Sequence, residues 1–332
     1  MTCARECADV QSKKRLTLRR IAVCYMCLFV IILFMKNSSA AAKWVSAGIS
    51  LCARTLIPSL FPFMVVSSMV ISSGACTEFF GALAKPLCSV LRVSRDGACA
   101  LVLGWLCGFP IGARCARELY GNGRISFDEY ERLTCISGTP SPAFLILSVG
   151  GGMLGDVRLG AVLYFVCVSC AILMGIVLRM RRGERAYAPI CRTKSTRKPL
   201  LECFVRSVSD SATAMMTVCS FVIFFSAFLG VLEQSIKFLG LSDTAHAVVF
   251  CIFEMTTGLY RVCALAPASA LPLCALAAGW AGLCVHFQTI AICGGTGLRL
   301  SRYFSVQLLR ALLCAGVCCI AQWVIQWTYQ FS

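Results

Sequence analysis

The sequence predicts an all-α integral membrane protein that crosses the bilayer several times. Of its 332 residues, 58% are hydrophobic and only 14% are charged, and the mean hydropathy is +0.80. A soluble domain carries roughly a quarter of its residues as Asp, Glu, Lys and Arg, so this chain has too few charges to cover a solvated surface. The same hydrophobicity excludes a disordered chain. Apolar runs of transmembrane length recur along the sequence.

The excess of basic residues is the second observation behind this prediction. Lys and Arg number 31 and Asp and Glu number 15, which gives a formal net charge of +16. The basic residues lie between the apolar runs, a distribution typical of cytoplasmic loops. We therefore expect a lipid bilayer as the partner rather than a nucleic acid. The N-terminus and the loop of residues 179–198 are expected to be cytoplasmic.

The 24 cysteines lie mostly inside apolar runs. Pairs such as Cys24 with Cys27 and Cys167 with Cys170 have helical spacing, where Cys behaves as a small hydrophobic residue that lets helices approach each other. A zinc site needs about four ligands and a polar surrounding shell, and no His stands near these pairs. The sequence therefore predicts packing cysteines, with no metal and no cofactor.

Residues 1–43 are predicted to form a basic cytoplasmic N-terminus and the first transmembrane helix. The apolar run 21–35 is short for a span, and the small residues behind it are also compatible with a cleaved signal peptide. We favour a retained helix, because Leu16 and Leu18 extend it and Lys36 can reach the interface.

Residues 44–178 are predicted to form the first of two similar units. It begins with a broken or amphipathic helix near Arg54 that leads into a span from Leu56 to Ser73. The further elements, in order, are an interfacial segment 79–93, a glycine-rich span 98–113, a polar helix–turn–helix 114–132 whose second helix is capped by Ser126, a re-entrant hairpin 134–155 and a span 159–178. The hairpin is expected because its Pro and Gly residues prevent a regular helix, and broken backbone in hydrocarbon needs protein or water to satisfy it.

Residues 199–332, after the basic loop 179–198, are predicted to form the second unit, with spans 212–232, 245–265 and 304–327 and a broken segment 271–297. Two stretches of the first unit correspond to stretches of the second: GFPIGAR to FCIFEMTTG, and SPAFLILSVGGGML to VHFQTIAICGGTGL. This correspondence indicates a duplication. If the 134–155 hairpin does not cross, the spans at 21, 56, 98 and 159 return the chain to the cytoplasm, and the two units have inverted topology. Segment 114–132 then lies outside, and the cytoplasmic side holds Lys85, Arg92, Arg261, Arg299 and Arg302.

From Gly108 to Leu133 the sequence reads GFPIGAR-x-x-x-x-LY-x-x-G-x-I-S-x-x-E-x-x-R-L, followed by S-x-x-x-SP-x-F-x-x-x-x-V-G-G. With IPSLFPFMVVSSMV and the elements at Glu254, Gly258, His286 and Gln288, this pattern resembles sporulation integral membrane proteins of the YlbJ type. They belong to the wider group that shares the nucleoside-recognition or Gate domain. The resemblance covers about residues 44–325, and SGTPSP departs from the Asn-rich stretch expected there.

The resemblance implies a protein of endospore-forming bacteria that is needed for a normal spore cortex, and a carrier of dipicolinic acid across the outer forespore membrane. A small anion suits the N-termini of broken helices, which present free N–H groups and partial positive charge. No enzyme is predicted, because no nucleophile–base pair or nucleotide loop is present. The alternatives are a carrier of nucleosides or other small solutes, and a structural membrane protein that assembles the cortex machinery. An oligomer is compatible with each.

Polar residues in the broken segments are the candidates for binding the solute. Arg114 could hold a carboxylate bidentately or anchor the chain at the interface. The hydroxyls of Ser137, Thr139 and Ser141 could bind a ligand or bond to the backbone around the prolines. The predicted set also includes Thr257, with the backbone positions Gly108, Pro110, Gly112, Pro142 and Gly258.

Glu254 is the first candidate to test, because a carboxylate in an apolar run is costly unless it is paired, protonated or hydrated. It would repel a dianion unless protonated, which suggests protons as the coupling ion. The alternative is a structural hydrogen bond to Thr256, Thr257 or a neighbouring helix. Gln288 is a plausible ligand donor, and His286 is a ligand donor or a packing residue.

Overall fold

The structure is a computed structural model that describes residues 2–73, 80–180, 199–236, 240, 242–265 and 270–330. Most of the described residues are helical, with no strand among them. Five helical segments are long and apolar enough to cross a membrane: Ser38–Ser73, Val157–Met180, Leu200–Gln234, Ala270–Ile292 and Leu300–Gln322. The predicted all-α, multi-pass fold is therefore confirmed.

Helix α1 (Thr2–Lys36) runs without interruption through the predicted first span. Its apolar side chains point outward, as with Tyr25, Phe29 and Met35 at 70%, 61% and 74% exposure, which suits a helix that faces lipid.

Helices α2 (Ser38–Leu51) and α3 (Ile57–Ser73) are joined by one π-helical turn, Cys52–Leu56. The break predicted near Arg54 is therefore a widened turn inside continuous helix. A single π-helical turn inside an α-helix is the usual form in which π-helix occurs.

The rest of the first half contains α4 (Gly81–Leu91), α5 (Arg95–Cys107), α6 (Ile111–Gly121), α7 (Phe127–Ile136), the π-helical α8 (Ala143–Met153) and α9 (Val157–Met180). The predicted helix–turn–helix is confirmed in α6 and α7. The cap of α7 is also as predicted, since Ser126 Oγ accepts the Glu129 N–H at 3.2 Å.

The predicted span 98–113 is wrong, because α5 and α6 form a helical hairpin there. With 13 residues, α5 is about 20 Å long, too short for a hydrocarbon layer of about 30 Å. The chain turns at Gly108–Pro110, and α6 packs back against α5. Two hydrogen bonds of 3.0 and 2.6 Å join Arg124 to Asp96 and close the open end of the hairpin.

The predicted hairpin 134–155 is an interrupted helix instead. Helix α7 ends at Ile136, residues 137–141 are non-helical, and α8 continues the chain. Helices α7 and α8 do not pack side by side, whereas α8 packs closely on α9. A Cβ at Gly150 would lie 2.7 Å from Gly160 Cα, so α8 and α9 approach at a glycine pair.

The second half contains α10 (Leu200–Ile236), α11 (Asp243–Phe253), α12 (Met255–Leu265), α13 (Ala270–Trp280), α14 (Gly282–Ile292) and α15 (Leu300–Gln330). The predicted span 245–265 is wrong. The chain is extended at Glu254, with φ −143° and ψ 116°, and α12 packs back on α11.

The predicted broken segment 271–297 is confirmed, since α13 and α14 are interrupted at Ala281 and Gly282. Both residues have positive φ, 72° and 80°. That conformation is uncommon for a residue with a side chain.

The order hairpin, interrupted helix and long helix therefore occurs in both halves. The starts of α6 and α12 lie 144 residues apart (111 and 255), and those of α9 and α15 lie 143 apart (157 and 300). This order supports a duplication divided at the basic loop, and the division itself stays a prediction. Residues 181–198 of that loop lie outside the described residues.

The prediction that segment 114–132 lies on the other side of the membrane from Arg92, Arg299 and Arg302 is wrong. The end of this segment, at residues 131 and 132, contacts those arginines directly. Glu131 accepts hydrogen bonds from Arg299 and Arg302 at 2.7–3.1 Å, and Arg132 donates to the carbonyls of Leu91 and Arg92. Within the segment only the turn at residues 121–123 is exposed, and the other residues are buried or half-buried.

Arg261 does not share the contacts of Arg299 and Arg302 with Glu131. Arg261 and Arg299 are separated along the chain by α13 and α14, which together are long enough to cross a membrane. Arg261 instead pairs with Glu233, at 2.8 Å. An open pocket of about 350 Å³ at this pair is lined by Glu233, Asp243, His246, Tyr260, Arg261, Ala264 and Leu265.

The cysteines behave largely as the sequence predicts. All those whose side chains are described are free thiols, and most are buried. Many belong to the two clusters of buried apolar residues that form the core. The buried ones, Cys167 and Cys170 among them, pack as small hydrophobic side chains. The packing predicted for Cys24 and Cys27 is wrong, because both are exposed on α1.

Candidate functional site

In the first half, the turn of the α5–α6 hairpin packs directly on the break in the interrupted helix. A Cβ at Gly108 would lie 2.8 Å from Ser141 N, and one at Gly112 would lie 2.6 Å from Ser137 Cβ. Only glycine fits at such distances. The GFPIGAR motif and the SGTPSP motif, which are about 30 residues apart in sequence, therefore form one site.

The second half repeats this contact between its two breaks. A Cβ at Gly282 would lie 3.0 Å from Met255 N and 3.2 Å from Glu254 Cα. Gly258 lies inside the hairpin, where a Cβ would meet Cys251 N at 2.5 Å. In both halves the tip of a helical hairpin thus meets a discontinuous helix.

A tryptophan indole ties each hairpin to the interrupted helix. Trp105 on α5 donates to the Ile136 carbonyl on α7 at 3.0 Å, and Trp280 on α13 donates to the Ile252 carbonyl on α11 at 3.0 Å. Each bond reaches a carbonyl in the last turn of a helix, where no intrahelical partner exists. Neither tryptophan was among the residues predicted from the sequence.

Glu254 lies in the break between α11 and α12, not in the middle of a span. Its Oε1 accepts the Thr256 N–H at 2.9 Å, and its Oε2 accepts the Thr257 N–H at 2.7 Å. The carboxylate therefore caps α12, where negative charge is stabilising. The structural alternative considered for Glu254 is the one observed, and Thr257 takes part through its backbone.

Arg114 lies in the first turn of α6, where its N–H donates to the Pro110 carbonyl at 3.1 Å, and it is buried at 8% exposure. Its Nη1 donates to Ser211 Oγ at 2.9 Å and to the Met64 carbonyl at 3.3 Å. It is therefore a buried residue rather than an interfacial anchor, and its side chain bonds to α3 and α10. Its role in binding stays a prediction.

The three hydroxyls of the SGTPSP break differ in their partners. Ser141 Oγ accepts the Phe144 N–H at 3.3 Å at the start of α8, and Pro142 precedes that helix. Ser137 and Thr139 are buried, at 0% and 1% exposure, and their hydroxyl oxygens have no hydrogen-bond partner. Pro110 precedes α6 in the same way, after a cis peptide bond.

His286 and Gln288 are both buried on α14. His286 Nδ1 lies 3.0 Å from the Tyr303 hydroxyl, and its ring packs against Trp280 and Phe304. Gln288 Nε2 donates to Cys284 Sγ at 3.3 Å. His286 therefore has the surroundings of a packing residue, and it lies near the α13–α14 break.

Arg310 on α15 is the main residue that sequence reasoning missed. It is 1% exposed and ranks first among the large buried side chains. Its Nη1 donates to the Gly138 carbonyl, and its Nε and Nη2 donate to the Gly279 carbonyl at 3.3 and 3.1 Å. One side chain thus connects the breaks of the two halves. An arginine inside an apolar run was the available signal.

The contacts between α7 and α15 follow one register. Glu131 meets Arg302, the Cys135 carbonyl accepts from Gln307 Nε2, and the Gly138 carbonyl accepts from Arg310, at separations of 171, 172 and 172 residues. Because both numbers rise together, the two helices run parallel.

The fold and this site define the class of the protein: an all-α, multi-pass integral membrane protein in which paired hairpins and interrupted helices meet in the interior. Comparison with known proteins gives 24% identity over 324 residues to the sporulation integral membrane protein YlbJ of Bacillus subtilis (strain 168). The aligned region covers 87% of this chain and 79% of that relative. This similarity confirms the predicted resemblance to proteins of the YlbJ type. No family model matches the chain, and no solved structure matches it.

Proposed function

We propose that the protein is a secondary transporter or channel for a small anionic solute during sporulation, and that this solute is dipicolinic acid. The observation that supports transport is the meeting of a hairpin tip with a discontinuous helix in each half. The role in sporulation rests on the similarity to YlbJ. The choice of dipicolinic acid rests on what the motif resemblance implies.

Interrupted helices have a physical reason to exist in a carrier. Non-helical backbone at membrane depth is tolerated only where protein or a water-filled cavity satisfies it. Transporters built from internal repeats place their substrates at such breaks, near the middle of the bilayer. The breaks at 108–110, 137–141, 254 and 281–282 are interruptions of this kind, and their presence in both halves supports a transporter.

The proposed location is the outer forespore membrane, with the N-terminus in the cytoplasm. If the hairpins do not cross, the crossings of the first half are α1, the α2–α3 segment, the α7–α8 pair and α9. This count still returns the basic loop to the cytoplasm, as the positive-inside rule requires. It moves Asn122 to the cytoplasmic side and Arg261 to the opposite side, and it leaves Arg299 on the cytoplasmic side.

Uptake of labelled dipicolinate into liposomes that contain the purified protein tests the function. We expect time-dependent uptake above that of empty liposomes, with unlabelled dipicolinate as competitor. An imposed pH gradient tests protons as the coupling ion. Competition by nucleosides alone would favour the nucleoside carrier, and no uptake of any solute would favour a structural role in cortex assembly.

A further inference from the structure

We propose that Arg310, together with the hydroxyls of Ser137 and Thr139, forms a subsite for one carboxylate group of the transported solute. This proposal rests on the proposed function and names the site within it.

The guanidinium of Arg310 is fixed by the breaks of both halves. It donates to the Gly138 carbonyl, just beyond the end of α7, and to the Gly279 carbonyl in the last turn of α13. Carbonyls at helix C-termini carry partial negative charge. These two carbonyls orient the guanidinium and reduce the free-energy cost of burying its charge while no ligand is bound.

Arg310 retains capacity for a ligand. A guanidinium has five N–H donors, and the three bonds to carbonyls leave two. Within the described part of the chain no carboxylate lies within 4 Å of it, whereas Arg299, Arg302 and Arg261 each have one. A buried cation without a full counter-charge favours an anionic ligand.

Two unpartnered hydroxyls flank the carbonyl that Arg310 binds. Ser137 and Thr139 precede and follow Gly138, both are nearly inaccessible, and neither hydroxyl oxygen has a partner. A buried hydroxyl without a hydrogen bond costs stability unless a ligand completes it. Hydroxyl donors and an arginine together suit a carboxylate, which accepts several hydrogen bonds and pairs with guanidinium in a planar geometry.

The sharpest test uses Ser137→Ala and Thr139→Val, which remove the hydroxyls with little change of shape. Dipicolinate affinity of the detergent-purified protein is measured by calorimetry, and stability by thermal unfolding. We expect affinity to fall roughly threefold to tenfold for each variant. The melting temperature without ligand should stay equal or rise, because no bond within the protein is lost. Ser148→Ala, at an exposed position in α8, is the matched control and should change neither quantity.

Arg310→Gln and Arg310→Lys test the cation. We expect Arg310→Gln to weaken dipicolinate binding at least roughly tenfold. Arg310→Lys should fall between it and the wild type, because lysine keeps the charge and loses the planar fork. Arg206→Gln, at an exposed arginine paired with Asp210, is the control and should bind like the wild type.

The outcomes separate the site from the function. If the wild type binds and transports dipicolinate while folded Arg310→Gln, Ser137→Ala and Thr139→Val bind it equally well, the subsite is overturned and the transport function stands. A loss of melting temperature in the two hydroxyl variants with unchanged affinity would give these residues a structural role and would also overturn the subsite. If the wild type neither binds nor transports dipicolinate, the proposed function fails, and the subsite with it.

Discussion

Glu254 stabilises the start of α12 by accepting the N–H groups of Thr256 and Thr257, at 2.9 and 2.7 Å. Replacing such a cap with alanine costs about 0.5–2 kcal/mol. We expect Glu254→Ala to lower the free energy of unfolding by about 1 kcal/mol, measured by thermal unfolding in detergent. Glu254→Asp should lose less, since aspartate is a good cap. Unchanged stability in Glu254→Ala together with lost proton-driven uptake would support a proton relay instead.

Individual residues could be predicted from the sequence where their partners are local. Ser126 caps α7 because its bond spans three residues, and the alternative role of Glu254 spans two and three. Arg310 differs, because its partners are 172 and 31 residues away. Nothing in the adjacent sequence indicates which carbonyls it reaches. The same holds for Arg114, whose partner Ser211 is 97 residues distant.

At the scale of the elements, the hairpin α5–α6 depends on glycines. They allow its two helices to pack closely on each other and on the non-helical segment 137–141. A Cβ at Gly112 would clash with Ser137, so we expect Gly112→Ala to lower the free energy of unfolding by about 1–3 kcal/mol. Gly316→Ala on α15 is the matched control. Nothing lies within 4 Å of a Cβ there, so it should be neutral or stabilising by up to about 1 kcal/mol. Equal unfolding temperatures for the two variants would refute the close contact.

The positions of the helix breaks could be predicted from Pro and Gly. Whether the two helices on either side of a break fold back on each other could not be predicted. Both the 98–113 and the 134–155 segments contain an interruption, and only the first turns back on itself. The difference lies in which neighbour each arm packs against, a tertiary contact that propensity does not encode. Glu254 looked like a mid-span residue because the apolar run continues on both sides of it.

On the scale of the whole molecule, Glu131 joins the two halves by binding both Arg299 and Arg302. We expect Glu131→Gln to lower the free energy of unfolding by about 1.5–3 kcal/mol, because charge-assisted bonds are lost at a buried position. Asp210→Asn, in an exposed pair with Arg206, should cost no more than about 0.5 kcal/mol. Thermal unfolding of both variants in one detergent checks this, and similar losses would contradict it.

The topology follows from the same contacts. Because Arg132 bonds to the Arg92 carbonyl and Glu131 pairs with Arg299 and Arg302, we expect a reporter fused at Asn122 to report a cytoplasmic position. A reporter in the loop at Gly240 should report the opposite side. An external Asn122 would require α5 and α6 to cross, against the hairpin that Arg124 and Asp96 close.

The parallel register of α7 and α15 limits how this molecule can move. Three levels of contact hold the two helices, at Glu131, at the Cys135 carbonyl and at the Gly138 carbonyl, so a slide of one residue would break all of them together. This seam therefore belongs to a static frame. A carrier that exposes its interior to each side in turn must then swing the tips of its hairpins, at Gly108 and Glu254, away from that frame.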